Sequence, residues 1–192
     1  IFREAYTKHK KLSAAVRHYV NALFGAEGLV VLDADCHDLK TLFTNVIRED
    51  LLNTVTRKIV DKTNNTLETL GYKVQVFCRE INFFYLADGL RNRIERQGDL
   101  FKVLDTSLSF STTEIEQLIT DEPEKFSPNV ILRPLYQECI LPNLAYVGGP
   151  AEIIYWLQLK EAFEHFNTPF PILMPRNFAM VMDHETSRKF SK

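Results

Sequence analysis

The sequence predicts an α/β fold in which a core of helices and parallel strands is interrupted by a smaller antiparallel module. Two apolar runs, "GLVVLDAD" at 28–35 and "LAYV" at 144–147, have the look of buried strands, and each is followed by helical spacing. Between them, residues 73–104 alternate in short bursts broken by Asp88-Gly89 and Gln97-Gly98-Asp99, which are hairpin-turn signals. A chain of 192 residues, 45% hydrophobic and 25% charged, is long enough to bury a sizeable core around such elements.

From the amino end, Phe2, Leu12, Val16, Tyr19, Val20 and Leu23 recur at helical spacing over 2–23, and Gly25 supplies the stop. The run at 28–35 is expected to be a buried parallel strand whose carboxyl end emerges at Asp33 and Asp35. Helical spacing returns over 37–70, from Leu39, Leu42 and Phe43 to Val55 and Ile59, and closes at Gly71. After the meander, Ser111 with Glu114 three residues on forms a capping box, so a short helix starts there and fades near Pro123. Another helix follows "FSPN", since Pro134 is tolerated only near a helix start. Leu144 to Val147 form a strand and Pro150 opens a helix reaching about Phe166, burying Ile153, Trp156, Leu157, Phe163 and Phe166. Strands are expected at "PILMPR" (171–176) and "AMVMD" (179–183). Residues 1–72 and 128–192 are then the two parts of the core, and 73–127 the inserted β-meander with its short helix.

Twenty-three Lys and Arg against 25 Asp and Glu leave a net charge of −2, which offers no basic footprint for nucleic acid. Cys36, Cys78 and Cys139 are odd in number and widely spaced, fitting neither a disulfide framework nor a paired-cysteine zinc site, and point to a reducing cytoplasm. No apolar run approaches the ~20 residues that cross a bilayer, so no membrane partner is expected. The five histidines show no ligand spacing, and no metal is assigned to them. The chain starts at Ile1 inside a helical pattern, and is expected to be a piece of something longer.

The candidate sites each carry two readings. In "YVGGPAEIIYW", Gly148 and Gly149 permit positive φ between a strand end and a helix start, where an open α/β sheet binds anions, and Glu152 in the first turn could accept from a ribose hydroxyl or an ammonium. The alternative is a tight turn with a capping acid. "VVLDADCHD" resembles the opening motif of haloacid-dehalogenase-type phosphohydrolases, with Asp33 as nucleophile, Asp35 as acid/base and magnesium neutralising the phosphate; alternatively, both acids cap a helix near His37. Arg133 and Gln137, one helical turn apart, suit a carboxylate or phosphate, or are a surface pair. Arg176 and Asn177 follow a strand end, suited to an anion or to ordinary loop chemistry. Cys78 before Arg79 has the option of a lowered pKa, against that of a packed thiol.

Taken together, "GLVVLDAD", "REINFFYLADGLRNRI", "FSPNVILRPLYQECILPNLAYVGGPAEIIYWLQLKEAFEHF" and "PFPILMPRN" closely resemble the bacillithiol biosynthesis cysteine-adding enzyme family, BshC. The similarity covers nearly the whole chain. Its most specific part runs from Ser127 to Asn177, where Arg-Pro-Leu-x-Gln-Glu, Gly-Gly-Pro-x-Glu and Pro-Arg-Asn recur in order. The resemblance implies a partial Rossmann-like core akin to the nucleotidylyltransferase superfamily, with an inserted small antiparallel β/α module, and a coiled coil outside this chain that forms a homodimer. It implies condensation of cysteine with the amine of glucosaminyl malate, with ATP and magnesium activating the cysteine carboxylate. Gly148, Gly149 and Glu152 match the family's glycine turn, Arg176 and Asn177 the following strand end, and Arg133, Gln137 and Asn82 other family-like positions, all as substrate- or nucleotide-binding candidates. The family's Gly-His loop and Glu-Asp-His segment do not occur in this sequence, and a glycine common after Pro150 is Ala151, so the 192-residue piece alone is expected not to ligate cysteine. The remaining alternative is a structural module without chemistry of its own.

Overall fold

The computed structural model describes residues 1–190 as a mixed α/β chain with two sheets. The helical pattern of 2–23 forms α1 (Phe2–Lys8) and α2 (Leu12–Phe24), separated at 9–11; Gly25, expected as the stop, keeps a helical φ of −61° and opens a 3-10 turn to Glu27, and it is Gly28, at φ 85°, that ends the run. The expected strand at 28–35 does not form: the segment is irregular, and Leu29, Val30 and Leu32 are 47%, 59% and 42% exposed. A short apolar run becomes a strand only where a neighbouring strand takes its backbone hydrogen bonds, and no described strand lies alongside this one.

The pattern of 37–70 is three helices: α3 (His37–Thr41), α4 (Thr44–Asn53) and α5 (Val55–Thr69). The chain bends at Phe43 and again at Thr54, whose φ of 51° breaks the helix. Gly71 ends α5 with φ 83°, while Tyr72 N–H donates to Leu67 O and Gly71 N–H to Glu68 O, each at 2.9 Å, so the last carbonyls are satisfied by a Schellman closure.

The meander starts later than its alternation suggests. Residues 73–82 form no strand, and at 75–76 the Gln158 side chain takes the bonds a partner strand would take: its Oε1 accepts from Gln75 N–H (2.9 Å) and Val76 N–H (3.3 Å), and its Nε2 donates to Val76 O (3.1 Å) and Asn64 Oδ1 (2.7 Å). Then come β1 (Phe83–Ala87), β2 (Leu90–Gln97), β3 (Leu100–Val103) and β4 (Ser109–Ser111). Gly89 and Gly98, at φ 71° and 61°, make the two tight turns. The expected helix is α6 (Thr112–Asp121), and both halves of its capping box are present between Ser111 and Glu114. An unforeseen strand, β5 (Phe126–Pro128), pairs antiparallel with β1 and completes a sheet of order β4-β3-β2-β1-β5.

Next follow α7 (Arg133–Ile140), β6 (Ala145–Gly148), α8 (Pro150–Gln158), α9 (Lys160–His165) and β7 (Ile172–Pro175). The helix expected to run unbroken from Pro150 bends at Leu159, and Leu157 is 52% exposed rather than buried. β6 and β7 pair in parallel with Gly148 opposite Pro175, so the β6-α8-α9-β7 run is a βαβ unit. No strand forms at 179–183, where Val181 is 97% exposed; the chain stays irregular until α10 (His184–Phe190). Among the described residues no helix is long and apolar enough to cross a membrane.

One apolar cluster ties these parts together, with Phe43 at the bend before α4, Leu51 of α4, Phe83 and Ile94 of the sheet, Ile119 of α6, Tyr136 of α7, and Trp156 and Phe163 of the βαβ helices. At its edge Asp50 and Asn82, both buried, are joined twice: Asn82 N–H donates to Asp50 Oδ2 at 2.6 Å and Asn82 Nδ2 to Oδ1 at 3.0 Å. Asn82 Oδ1 in turn accepts from Arg79 N–H (3.1 Å) and Asn129 Nδ2 (2.9 Å), which locks the entry to β1 against the exit from β5.

Candidate functional site

The βαβ unit places the glycine pair at the carboxyl ends of two parallel strands and at the start of α8, the position where open α/β sheets hold ligands. The expectation that the glycines supply positive φ is not met: Gly149 has φ −70° and ψ 164°, and Gly148 is not among the residues of positive φ. What they supply is room. A Cβ on Gly148 would stand 2.6 Å from Tyr146 Cε1, and one on Gly149 would stand 3.2 Å from Arg176 Nη2 and 3.3 Å from Glu152 Oε2.

Glu152 is held by the helix it starts. Its Oε2 accepts from Gly149 N–H at 2.7 Å, satisfying a donor that the first turn would leave orphaned. Arg176 is held by the strand pairing: its N–H donates to Gly148 O at 2.9 Å, extending the β6–β7 ladder by one residue and bringing the guanidinium over Gly149. A carboxylate and a guanidinium thus flank one buried glycine without forming an ion pair with each other. Tyr146 and Tyr155 both feel the Glu152 charge, and both phenols are pushed up, by burial first and then by that charge. Sequence reasoning missed both tyrosines, although their flanking of the Gly-Gly-Pro-x-Glu element was in plain view.

The sequence-derived candidates separate into groups. Gly148, Gly149, Glu152 and Arg176 converge, and Asn177 follows as an exposed neighbour. Arg133 is exposed in the first turn of α7 and shares a cavity of about 550 Å³ with Gln137, walled by Gly28, Leu29, Val30, Leu32 and Ala34 and by residues 140–143. Its positive charge is felt at the Tyr155 hydroxyl. Asn82 is buried, and both ends of its side-chain amide are engaged by protein partners.

Other candidates fare differently. Asp33 and Asp35 sit on a turn instead of a strand end: Asp33 Oδ1 accepts from Asp35 N–H at 3.2 Å, and Asp35 pairs with the buried Lys40 at 3.1 Å. Lys40 also donates to Phe126 O at 2.5 Å and is held below the usual lysine range, chiefly by burial. Asp35 is therefore tied into packing, and the strand that would present a nucleophilic Asp33 is missing. Cys78 is not activated: burial, with the Asp50 charge adding, pushes its thiol up to about 12. Among the described residues no group of three His, Cys, Asp or Glu stands in a metal-holding arrangement.

Residues 1–177 match the family described as "Bacillithiol biosynthesis BshC, N-terminal Rossmann-like domain". Over 190 residues the chain is 47% identical to a protein of Cytophaga hutchinsonii named "Putative cysteine ligase BshC", covering 99% of this chain and 36% of that protein. A Flavobacterium johnsoniae protein of the same name is 45% identical over 189 residues, covering 98% and 35%, and one of Chlorobaculum tepidum is 33% identical over 195, covering 100% and 35%. The chain spans about a third of the length of these relatives. Both the glycine turn and the βαβ unit that presents it lie within the matched residues, and the chain belongs to the BshC family, its residues 1–177 matching that family's N-terminal Rossmann-like domain.

Proposed function

We propose that this chain is part of an ATP-dependent ligase that adds cysteine to the amine of glucosaminyl malate in bacillithiol biosynthesis, and that the crevice at Gly149 holds the cysteine. The observation that carries the reading is the convergence of the Arg176 guanidinium and the Glu152 carboxylate on one buried glycine, where a Cβ on Gly149 would stand 3.2 Å from the one and 3.3 Å from the other. An amino acid carries the complementary pair, a carboxylate for the arginine and an ammonium for the glutamate. A nucleotide phosphate fits this spot poorly. The Gly149 N–H and the positive end of α8, which would otherwise attract it, are already satisfied by Glu152, whose charge opposes a second anion. Joining a carboxylate to an amine with loss of water is unfavourable in water, and this is the chemistry for which the whole protein would use ATP with magnesium. The rest of the whole protein, with its coiled-coil homodimer and cytoplasmic setting, belongs to the same proposal.

The test is steady-state ligation by the full-length protein carrying Arg176→Ala. Loss of a charged hydrogen-bond partner weakens binding by about 10- to 100-fold, so the KM for cysteine rises by that order while the KM for glucosaminyl malate stays put. An unchanged cysteine KM removes Arg176 from the site.

A further inference from the structure

The outer face of the large sheet carries a cluster of arginines that the crevice does not use. On β2, Arg91 and Arg93 are two residues apart and point to the same side, opposite the buried Ile94. The register sets Arg93 across from Phe84, and Phe84 across from Ser127 on β5. The Arg91 guanidinium lies 3.9 Å from the centre of the Phe84 ring, and its Nε donates to Ser127 Oγ at 3.4 Å. Arg79 enters from the segment before β1 and Arg133 from the start of α7, so four arginines from three parts of the chain line one hollow of about 510 Å³.

Three features distinguish this hollow from ordinary surface charge. No acidic residue lines it, although the chain as a whole has a net charge of −2. None of the four arginines makes an ion pair among the described residues; the acids Glu80 and Glu95 lie in the adjoining hollow, which shares Arg79 and Arg93. The floor is rigid, because Asn82 and Asn129 are bonded to each other and Asn82 to the buried Asp50. Arginine cannot relieve repulsion by losing a proton, as lysine can, so like charges gathered here are compensated by a counterion. Their field extends inward: Lys40, held low chiefly by burial, is lowered further by Arg133 and Arg91.

We propose that the hollow formed by Arg79, Arg91, Arg93 and Arg133 above the Asn82–Asn129 floor binds a small anion with two or more negative charges, a dicarboxylate or a diphosphate. The inference rests on the ligase reading only for its choice of probes: L-malate stands for the dicarboxylate of glucosaminyl malate, and inorganic pyrophosphate for the phosphate chain of ATP.

Calorimetric titration of the full-length protein with each probe, at low and at moderate salt, tests it. At least one probe binds saturably, and more weakly as salt rises. The Arg91→Gln, Arg93→Gln double variant binds that probe at least about tenfold more weakly, as loss of about 1.4 kcal/mol requires, while Arg17→Gln, at an exposed arginine of α2 outside both sites, binds it normally. Whichever probe binds identifies the source of the anion. Arg79→Gln lies outside the sheet and repeats the test with a smaller loss, should the double variant melt abnormally. Saturable binding of neither probe, or binding unchanged in both variants, overturns the proposal. Since the readout is equilibrium binding, a failure of ligation leaves it standing, and its failure leaves the cysteine crevice standing.

Discussion

The Tyr146 ring stacks on Trp156 with centroids 4.0 Å apart and planes at 18°, and this packing requires glycine at 148. A methyl group there would stand 2.6 Å from Tyr146 Cε1, and the ring cannot simply swing aside, because the buried indole backs it. Gly148→Ala is therefore expected to cost about 1–3 kcal/mol by overpacking. Trp156 is the chain's single tryptophan, so its emission reads the displacement directly. A lowered melting temperature with a shifted emission maximum is the expected result; no change in either would refute the close approach.

Glu152 has two duties that substitution can separate. As a cap it needs only an acceptor for Gly149 N–H, which glutamine supplies and alanine does not; loss of such a cap costs about 1 kcal/mol. As the ammonium partner it needs its negative charge, which glutamine lacks. Glu152→Gln is expected to melt like the unmodified protein, and Glu152→Ala lower, while both full-length variants raise the KM for cysteine. Ligation by Glu152→Gln with an unaltered cysteine KM would leave Glu152 as a cap alone.

The parts of the fold legible in the sequence were those settled locally. The capping box at Ser111 and Glu114, the glycine closure at Gly71 and the two glycine turns of the meander depend on a few adjacent residues, and each stands where the sequence puts it. The misread parts depend on distant partners. "GLVV" has strand composition but no strand beside it, and the alternating run at 73–77 gives its hydrogen bonds to Gln158, over eighty residues away. The same division holds at the site. The Gly-Gly-Pro-x-Glu element announced itself, whereas the use of the glycines for space instead of positive φ became visible only with Arg176 folded over Gly149. Arg91 and Arg93 had a signal that went unused: two residues apart just after an Asp-Gly turn, they had to share a strand face.

Asp50 links the stability of the sheet entry to pH. Burial pushes its carboxyl up from the ordinary 3.8 to about 6, and the two bonds from Asn82 only partly offset that. A carboxyl whose folded pKa is raised contributes stability that is fully present below the unfolded value and is lost as pH rises through the folded one. Here that window runs from about 4 to 6 and above. Asp50→Asn removes the titration, and because glutamates and histidines elsewhere titrate equally in both proteins, their effects cancel in the difference. Denaturant unfolding of the two proteins should show a stability gap wider at pH 5 than at pH 7.5, in favour of the aspartate, by on the order of 1 kcal/mol. Asparagine offers a donor where Asn82 already donates, so the variant is expected to be less stable at both pH values, and the change in the gap is the readout. A gap that stays constant across the range would mean that Asp50 is ionised throughout it, and that the Asn82 bonds outweigh its burial.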